Sequence, residues 1–368
     1  MANEPSTGMT RRDTLGLLAI GAGAAVTSLL GFEADVLAAV LQGRGSQSPA
    51  AFPPGAIIRT LLKDVPPASL AGGPTLFHEH LSINISQNNA PHYTADIAMM
   101  TDEARAALRD GISCIVDGGH PDMRRDLDAL RRMTADSGLP IVASGGYYMQ
   151  RTYPADIAAR SADQIADDLV KDATAGHLGA FGEIGQQGGE LTADERKVFE
   201  AVGKAQARSG IPIFTHNAYT GRRQVPVPVP KDAALRQLDI LEKAGAKPAN
   251  IAIGHVCCLD DPKAEIAIAI AKRGAFVGFD RVTLTTMPDP DRVIMAMAMA
   301  EAGYAENLLL SSDFYSERAL KKNGGPGLAQ TATVFGPMLL KAGMSEGMLR
   351  RILIDNSRRF LAFVPKAQ

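Results

Sequence analysis

Cysteine is scarce in this chain: Cys114, Cys257 and Cys258 are the only three among 368 residues. An odd count with two members adjacent argues against a disulfide framework, and the lack of any Cys-x-x-Cys spacing excludes zinc-ribbon and dithiol redox motifs. Cys114 lies in the apolar run Ile112-Ser-Cys-Ile-Val116 and reads as a small buried hydrophobe. A surplus of one charge is also missing. Thirty-eight basic against forty acidic side chains leave a formal net charge of −2. No basic block or aromatic-interleaved Lys/Arg stripe occurs, so nucleic acid is not an expected partner. Short-period repeats and low-complexity tracts are absent. Gly21-Ala-Gly23 imitates half a dinucleotide-binding turn but lacks the third glycine and a preceding strand. What is present is 46% apolar and 21% charged residues, ample material for a core. The length suits one (β/α)8 barrel with extensions, which needs about 250 residues or more.

The first forty residues read as an address. Thr10-Arg11-Arg12-Asp13-Thr14-Leu15 leads into Leu17, Leu18 and Ile20 and a Gly/Ala-rich stretch reaching Leu30. A charged start, a paired arginine and an apolar segment of roughly 15 residues describe a twin-arginine export signal over residues 1–40. Thr14 stands where such signals usually carry Phe, and Leu37-Ala38-Ala39 is a weak cleavage site. The twin-arginine export machinery is then a partner, and the destination periplasmic or extracellular. The alternative is an uncleaved membrane anchor, for which the run is short of the about 17–25 residues a spanning helix uses. Residues 41–55, rich in Gly, Ser and Pro, read as a linker, and residues 56–368 as the folded barrel.

From Thr75 onward, short β-rich runs alternate with helical stretches. The strand candidates are Thr75–His80, Ser113–Gly118, Pro140–Gly145, Ala180–Gly185, Pro212–Asn217, Asn250–His255, Ala275–Asp280 and Leu308–Asp313. In the helical stretch beginning at Thr192, Val198, Ala201, Val202 and Ala205 fall at i, i+3, i+4 and i+7 and form one apolar face. Ser161 with Gln164 and Thr192 with Glu195 form capping boxes, while Gly111, Gly138, Gly210, Gly245 and Gly274 close helices. Eight strand–helix repeats predict an α/β fold, a (β/α)8 TIM barrel with an N-terminal extension. A doubly wound open sheet is the alternative.

Chemistry in such a barrel gathers at the C-terminal ends of the strands. His78 and His80 end the first strand, Glu183 lies near the end of the fourth, and His216, His255 and Asp313 end the fifth, sixth and eighth. Side chains two apart on a strand share a face, so His78 and His80 can grip one ion together. Imidazole and carboxylate ligands suit zinc, manganese, iron or cobalt without deciding among them, with zinc the leading candidate. Six ligand candidates exceed one tetrahedral ion and fit two divalent cations roughly 3.5 to 4 Å apart sharing a hydroxide.

At these motifs the sequence resembles the phosphotriesterase-like family of the amidohydrolase superfamily. The resemblance runs from Ile57-Ile-Arg-Thr-Leu61 through Thr75-Leu-Phe-His-Glu-His-Leu81, Gly182-Glu-Ile184, Phe214-Thr-His216, Ile253-Gly-His255 and Ser312-Asp313 to Asp355-Asn-Ser-Arg-Arg-Phe-Leu361. It implies that His78, His80 and Asp313 hold the more buried ion and His216 and His255 the more exposed one. The bridging ligand, often a carbamylated lysine, is Glu183 here, as in one sub-branch of the family. Its arm is shorter, which requires either an inward bend of that strand or slightly displaced metals. Asp313 is then the proton acceptor in a metal-dependent hydrolysis.

Two further positions resemble lactonase-like members. Tyr147, after the third strand, would lean over the hydroxide, and Arg281 would orient an ester or lactone with its planar donors. Asp280 would hydrogen-bond a ligand histidine or Arg281. After His255 the family often keeps an acidic pair that relays the proton outward; here Cys258 replaces one acid and Asp260 remains. Lys321 and Lys322 lie in a loop after strand eight that could close over substrate. Met295, Met297 and Met299 read as core packing, and His92, His120 and His177 as loop residues. The leading expectation is a hydrolase of carboxylic esters or lactones. Phosphotriester hydrolysis is the runner-up, and an inactive metal- or ligand-binding protein comes from another class. Barrels of this family often pair, which makes a homodimer one candidate assembly, although the sequence itself does not fix the oligomeric state.

Overall fold

The computed structural model describes residues 50–85, 93–283 and 286–366. The expected export signal, most of the expected linker and His92 lie outside the described residues. Among the described residues no helix is long and apolar enough to cross a membrane.

A two-stranded hairpin, β1 (Ile58–Arg59) with β2 (Asp64–Val65), precedes eight longer-range strands. These are β3 (Thr75–Glu79), β4 (Cys114–Asp117), β5 (Ile141–Gly145), β6 (Ala180–Gln186), β7 (Ile213–Asn217), β8 (Ile251–Ile253), β9 (Phe276–Phe279) and β10 (Leu308–Leu310). Every expected strand is found, shortened by a residue or more at most ends. Neighbours pair in parallel, in the order β3 to β10. The connecting helices are α1 (Ile97–Arg109), α2 (Leu127–Ser137), α3 (Ala162–Gly176), α4 (Ala193–Ser209), α5 (Ala233–Lys243), α6 (Glu265–Lys272) and α7 (Asp289–Glu301). After β10 a π-helical turn leads into α8 (Gly336–Lys341). This is the (β/α)8 barrel expected from the sequence.

Local chemistry accounts for the boundaries. Both capping boxes form, so α3 and α4 start where Ser161 and Thr192 accept the first free N–H groups. Gly138 and Gly210 end α2 and α4 in the left-handed conformation that a side chain disfavours. Val198, Ala201, Val202 and Ala205 are fully buried, as the helical periodicity predicts.

Two large hydrophobic cores result, beside a small cluster of Ile83, Met123, Tyr148 and Met149. One lies between strands and helices; Met295 and Met299 are buried in it, with Met297 partly buried. The other fills the barrel itself: Phe77, Val116, Val142, Phe214, Phe276 and Leu309 point inward, Cys114 among them. Phe77 meets Phe214 and Phe360 edge to face, at centroid distances of 6.2 and 6.0 Å. Each such ring stabilises the fold by about 1.5–3 kcal/mol through burial, and together they make the interior a solid plug. Chemistry is left to the rim.

The hairpin and the C-terminal segment close the bottom. Ile57 and Phe363 exchange both backbone hydrogen bonds, at 2.9 and 3.0 Å, and Arg358 donates to the carbonyl of Pro67 at 3.1 Å.

Candidate metal centre

The two strands that carry the central candidates each hold an extra residue. Between Leu76 and Glu79, three steps of β3 oppose two of β4; between Phe181 and Ile184, three steps of β6 oppose two of β7. Such bulges re-aim side chains. In β6 the extra residue falls in the step that carries Glu183, whose side chain is buried among the other candidate ligands. Gly182 permits the close packing there, because a Cβ would lie 2.5 Å from the Phe214 ring.

All six candidates converge. Glu183 sits at the centre, 1% exposed, with one oxygen toward each pair of histidines. Its Oε2 lies 3.4 Å from His78 Nε2 and 3.3 Å from His80 Nε2. Its Oε1 meets His216 Nδ1 and stands 3.1 Å from His255 Nε2. Asp313 Oδ1 is 3.0 Å from His80 Nε2 and 3.9 Å from His78 Nε2, while its Oδ2 is 3.8 Å from His255 Nε2. The donor atoms fall into the groups His78, His80, Glu183, Asp313 and Glu183, His216, His255, each within 4.8 Å.

This arrangement fits metal ions. Ligands about 2.1 Å from an ion lie about 3.0–3.4 Å from one another, close to the shorter spacings observed. His78 Nε2 is buried with no hydrogen-bond partner, as expected of a lone pair reserved for a cation. The buried cluster can hold metal.

Asp280 supports it from behind. Its Oδ2 accepts from His78 Nδ1 at 2.9 Å, and its Oδ1 from His255 Nδ1 at 3.0 Å and His255 N at 2.7 Å. One carboxylate thus fixes the tautomer of two imidazoles and leaves each Nε2 free to face the centre. The expected contact with a ligand histidine is present, twice over.

The electrostatics follow from burial and charge pairing. Burial opposes protonation of His80, but Asp313 and Glu183 outweigh it and raise its pKa to about 9. Burial likewise opposes protonation of His255, and Asp280 and Glu183 raise it to about 9. At His216 burial wins, and the pKa falls to about 4. Burial would raise the pKa of Glu183, but His216 and His78 hold it well below the usual carboxylate range.

Arg281 reaches the centre, its Nε 3.1 Å from Asp313 Oδ2. It lines a cavity of about 220 Å³ together with Tyr148, Tyr315, Ile83, Ile85 and Met123 above His80, Glu183, His216 and Asp313. The tyrosine in this cavity is Tyr148, edge-on to His216 with centroids 5.1 Å apart. Tyr147 is placed elsewhere: it packs against Tyr153 beside Arg160. Asp260 also lies outside the centre, exposed and paired with Arg222 at 3.1 Å, so no relay passes through it. The turn Val256–Cys258 redirects the chain before it. Cys258 Sγ instead contacts Thr286 Oγ1 at 3.3 Å, and all three cysteines are free and buried. Lys321 pairs with Asp110 at 2.6 Å, at the end of α1. His120 is buried against Asp122, and His177 reaches the carbonyl of Thr60, below the barrel.

Sequence comparison then decides the lineage, since residues 58–361 match the profile of the phosphotriesterase family. The chain belongs to the phosphotriesterase family. Within it, the chain is 29% identical over 297 residues to the phosphotriesterase homology protein of Escherichia coli (strain K12), covering 78% of this chain and 97% of that one. It is 25% identical over 355 residues to the human N-acetyltaurine hydrolase, covering 83% and 98%. The solved structure of the E. coli protein, with phosphate in its active site, superposes with a TM-score of 0.72 at 28% identity, over 78% of this chain and 98% of that one. A resiniferatoxin-binding protein from Rhodobacter sphaeroides superposes with a TM-score of 0.71 at 25% identity, over 85% and 98%. A hydrolase of this family, acting on small molecules at a buried metal-competent cluster, is the coarse description that family and geometry support together.

Proposed function

We propose that this chain is a binuclear-metal hydrolase that attacks a carboxylic ester or lactone. The observation that carries the reading is the Glu183 carboxylate, which turns one oxygen to His78 and His80 and the other to His216 and His255. In this reading His78, His80 and Asp313 would hold one ion and His216 and His255 the other, with Glu183 available to both. Two divalent cations, zinc first, would acidify a shared water and polarise the substrate's acyl oxygen. Asp313, facing both ligand groups, accepts the proton from the attacking water. Arg281 keeps that carboxylate oriented and offers its remaining N–H groups to the ester or lactone oxygens. Tyr148 stays a phenol, since burial, Glu183 and Asp313 all raise its pKa, and so donates a hydrogen bond over the centre.

Cavity size supports a compact acyl substrate. About 220 Å³ lies below the roughly 300–1,000 Å³ of pockets for drug-sized ligands, and three substituents on phosphorus crowd it more than a small lactone does. Two other substrates have specific support. The N-acetyltaurine hydrolases among the relatives favour an amide, and phosphate in the E. coli relative favours a phosphoester. Metal-replete protein assayed on lactones, carboxylic esters, N-acyl amides and an aryl phosphotriester separates these readings, with elemental analysis giving metal number and identity. Faster turnover of esters or lactones is expected. Preference for the amide or phosphotriester overturns the substrate assignment, and no turnover of any substrate favours a binding protein.

We also propose export by the twin-arginine route, on the strength of Arg11-Arg12 and the apolar stretch behind them. Replacing both arginines by lysine should leave the protein in the cytoplasmic fraction; unchanged export would refute the assignment.

A further inference from the structure

Glu79, the last residue of β3, lies between His78 and His80 but points the other way, fully buried, across the seam between β3 and β10, where the described residues form no strand ladder. There its carboxylate accepts four hydrogen bonds from the segment that follows β10. Oε1 takes Ser311 Oγ at 2.8 Å and Ser312 N at 3.0 Å; Oε2 takes Ser312 Oγ at 2.8 Å and Phe314 N at 2.7 Å. The two backbone donors flank Asp313. Asp313 itself has φ +48°, a left-handed conformation that costs a non-glycine residue about 1 kcal/mol or more. Its own N–H goes to the carbonyl of His78 at 3.2 Å, and His80 N donates to the carbonyl of Phe314 at 3.1 Å.

We propose that Glu79 is a positioning residue: its side chain adds four hydrogen bonds to the two backbone bonds that cross the β3–β10 seam, holding Asp313 in its left-handed turn and setting it against His78 and His80. The proposal deepens the reading of Asp313 as ligand and proton acceptor, and rests on it. A carboxylate suits the task because both of its oxygens accept. An amide offers one acceptor and one donor, so in Glu79→Gln either Ser312 N–H or Phe314 N–H would face an N–H group.

The experiment uses the full chain with Glu79→Gln and, as a control, Ser312→Ala, which removes one hydroxyl and leaves both backbone donors paired. Hydrogen exchange over residues 311–314 is read first, because it needs neither metal nor turnover. Glu79→Gln should speed exchange there about tenfold or more, with β5 to β8 unchanged. Chelator competition is read next. The affinity of the ion assigned to His78, His80 and Asp313 should fall about 10–100-fold, with the other ion unaffected, and kcat should drop with KM nearly constant. Ser312→Ala, which removes one of the four contacts, should show a clearly smaller effect than Glu79→Gln in all three. Unchanged exchange at 311–314 in Glu79→Gln overturns the proposal, and so does equal weakening of both ions alongside faster exchange throughout the barrel. If wild type binds no divalent cation, the reading of the centre fails instead, and the exchange pattern still decides whether Glu79 fastens the turn.

Discussion

Replacing Asp280 by Asn should remove one ion and spare the other. The asymmetry comes from the hydrogen bonds. Oδ1 is committed to the backbone N–H of His255 at 2.7 Å as well as to its Nδ1, whereas Oδ2 serves only His78 Nδ1. A backbone N–H cannot become an acceptor, so the single oxygen of Asn stays on the Oδ1 side and its NH2 group faces His78. That imidazole must then accept at Nδ1, which places its proton on Nε2 and cancels the lone pair directed at the centre. Loss of an orienting partner of this kind typically costs 10–100-fold in metal affinity, about 1.4–2.8 kcal/mol. Chelator competition on the full chain should resolve the weakened ion from the unchanged one, and elemental analysis at limiting metal should approach half occupancy. A double-mutant comparison sharpens the test. Asp280→Asn added to His78→Ala should cost almost nothing further; added to His216→Ala it should cost its full amount. Equal weakening of both ions, or additivity on the His78→Ala background, would refute the tautomer argument.

Three further outcomes are expected. With Glu183 as the bridge, metal reconstitution should not respond to added bicarbonate; a clear bicarbonate requirement in a reconstitution assay rejects that role. The second concerns pH. His80 and His255 titrate near 9 when only side chains surround them, above the ordinary value of about 6.5. Their contribution to the stability of chelated protein is therefore complete below about pH 6.5 and is lost as pH rises through 9. Metal must displace the same protons, so apparent affinity should climb across that window by up to about tenfold per pH unit for each proton released; a flat pH profile in competition titrations would count against both sites. Third, Tyr148→Phe should lower kcat by about tenfold, whereas Tyr147→Phe should leave it unchanged, as measured by steady-state kinetics on the best substrate. The reverse ranking would show that the wrong tyrosine faces the cavity.

Most of the barrel was legible because its strands are short apolar runs ending in polar side chains, with helices opened by Ser161 and Thr192 and closed by glycines. Five of the six central candidates were legible for the same reason: His78, His80, His216, His255 and Asp313 sit near or just beyond the end of a strand, whereas Glu183 stands in the middle of β6, where the register shifts. Misplacement began where the chain stops being periodic. Resemblance to lactonase-like members selects Tyr147, but beyond Gly145, which ends β5, Gly146 at φ +139° breaks the strand alternation and Tyr148 is the residue that enters the cavity. Beyond His255, itself left-handed at φ +58°, the turn at Val256–Cys258 carries Asp260 out to Arg222. The double contact of Asp280 and the seam contacts of Glu79 are long-range pairings with no local pattern, although the residues themselves stand in plain view beside Arg281 and between two histidines.

The paired backbone bonds of Ile57 and Phe363 carry a practical consequence. Both termini of the barrel leave from the side opposite the substrate entrance. A support, tag or fusion partner attached ahead of Ala56 would therefore hold the enzyme by its base, entrance outward, without shading the route that substrate and product take.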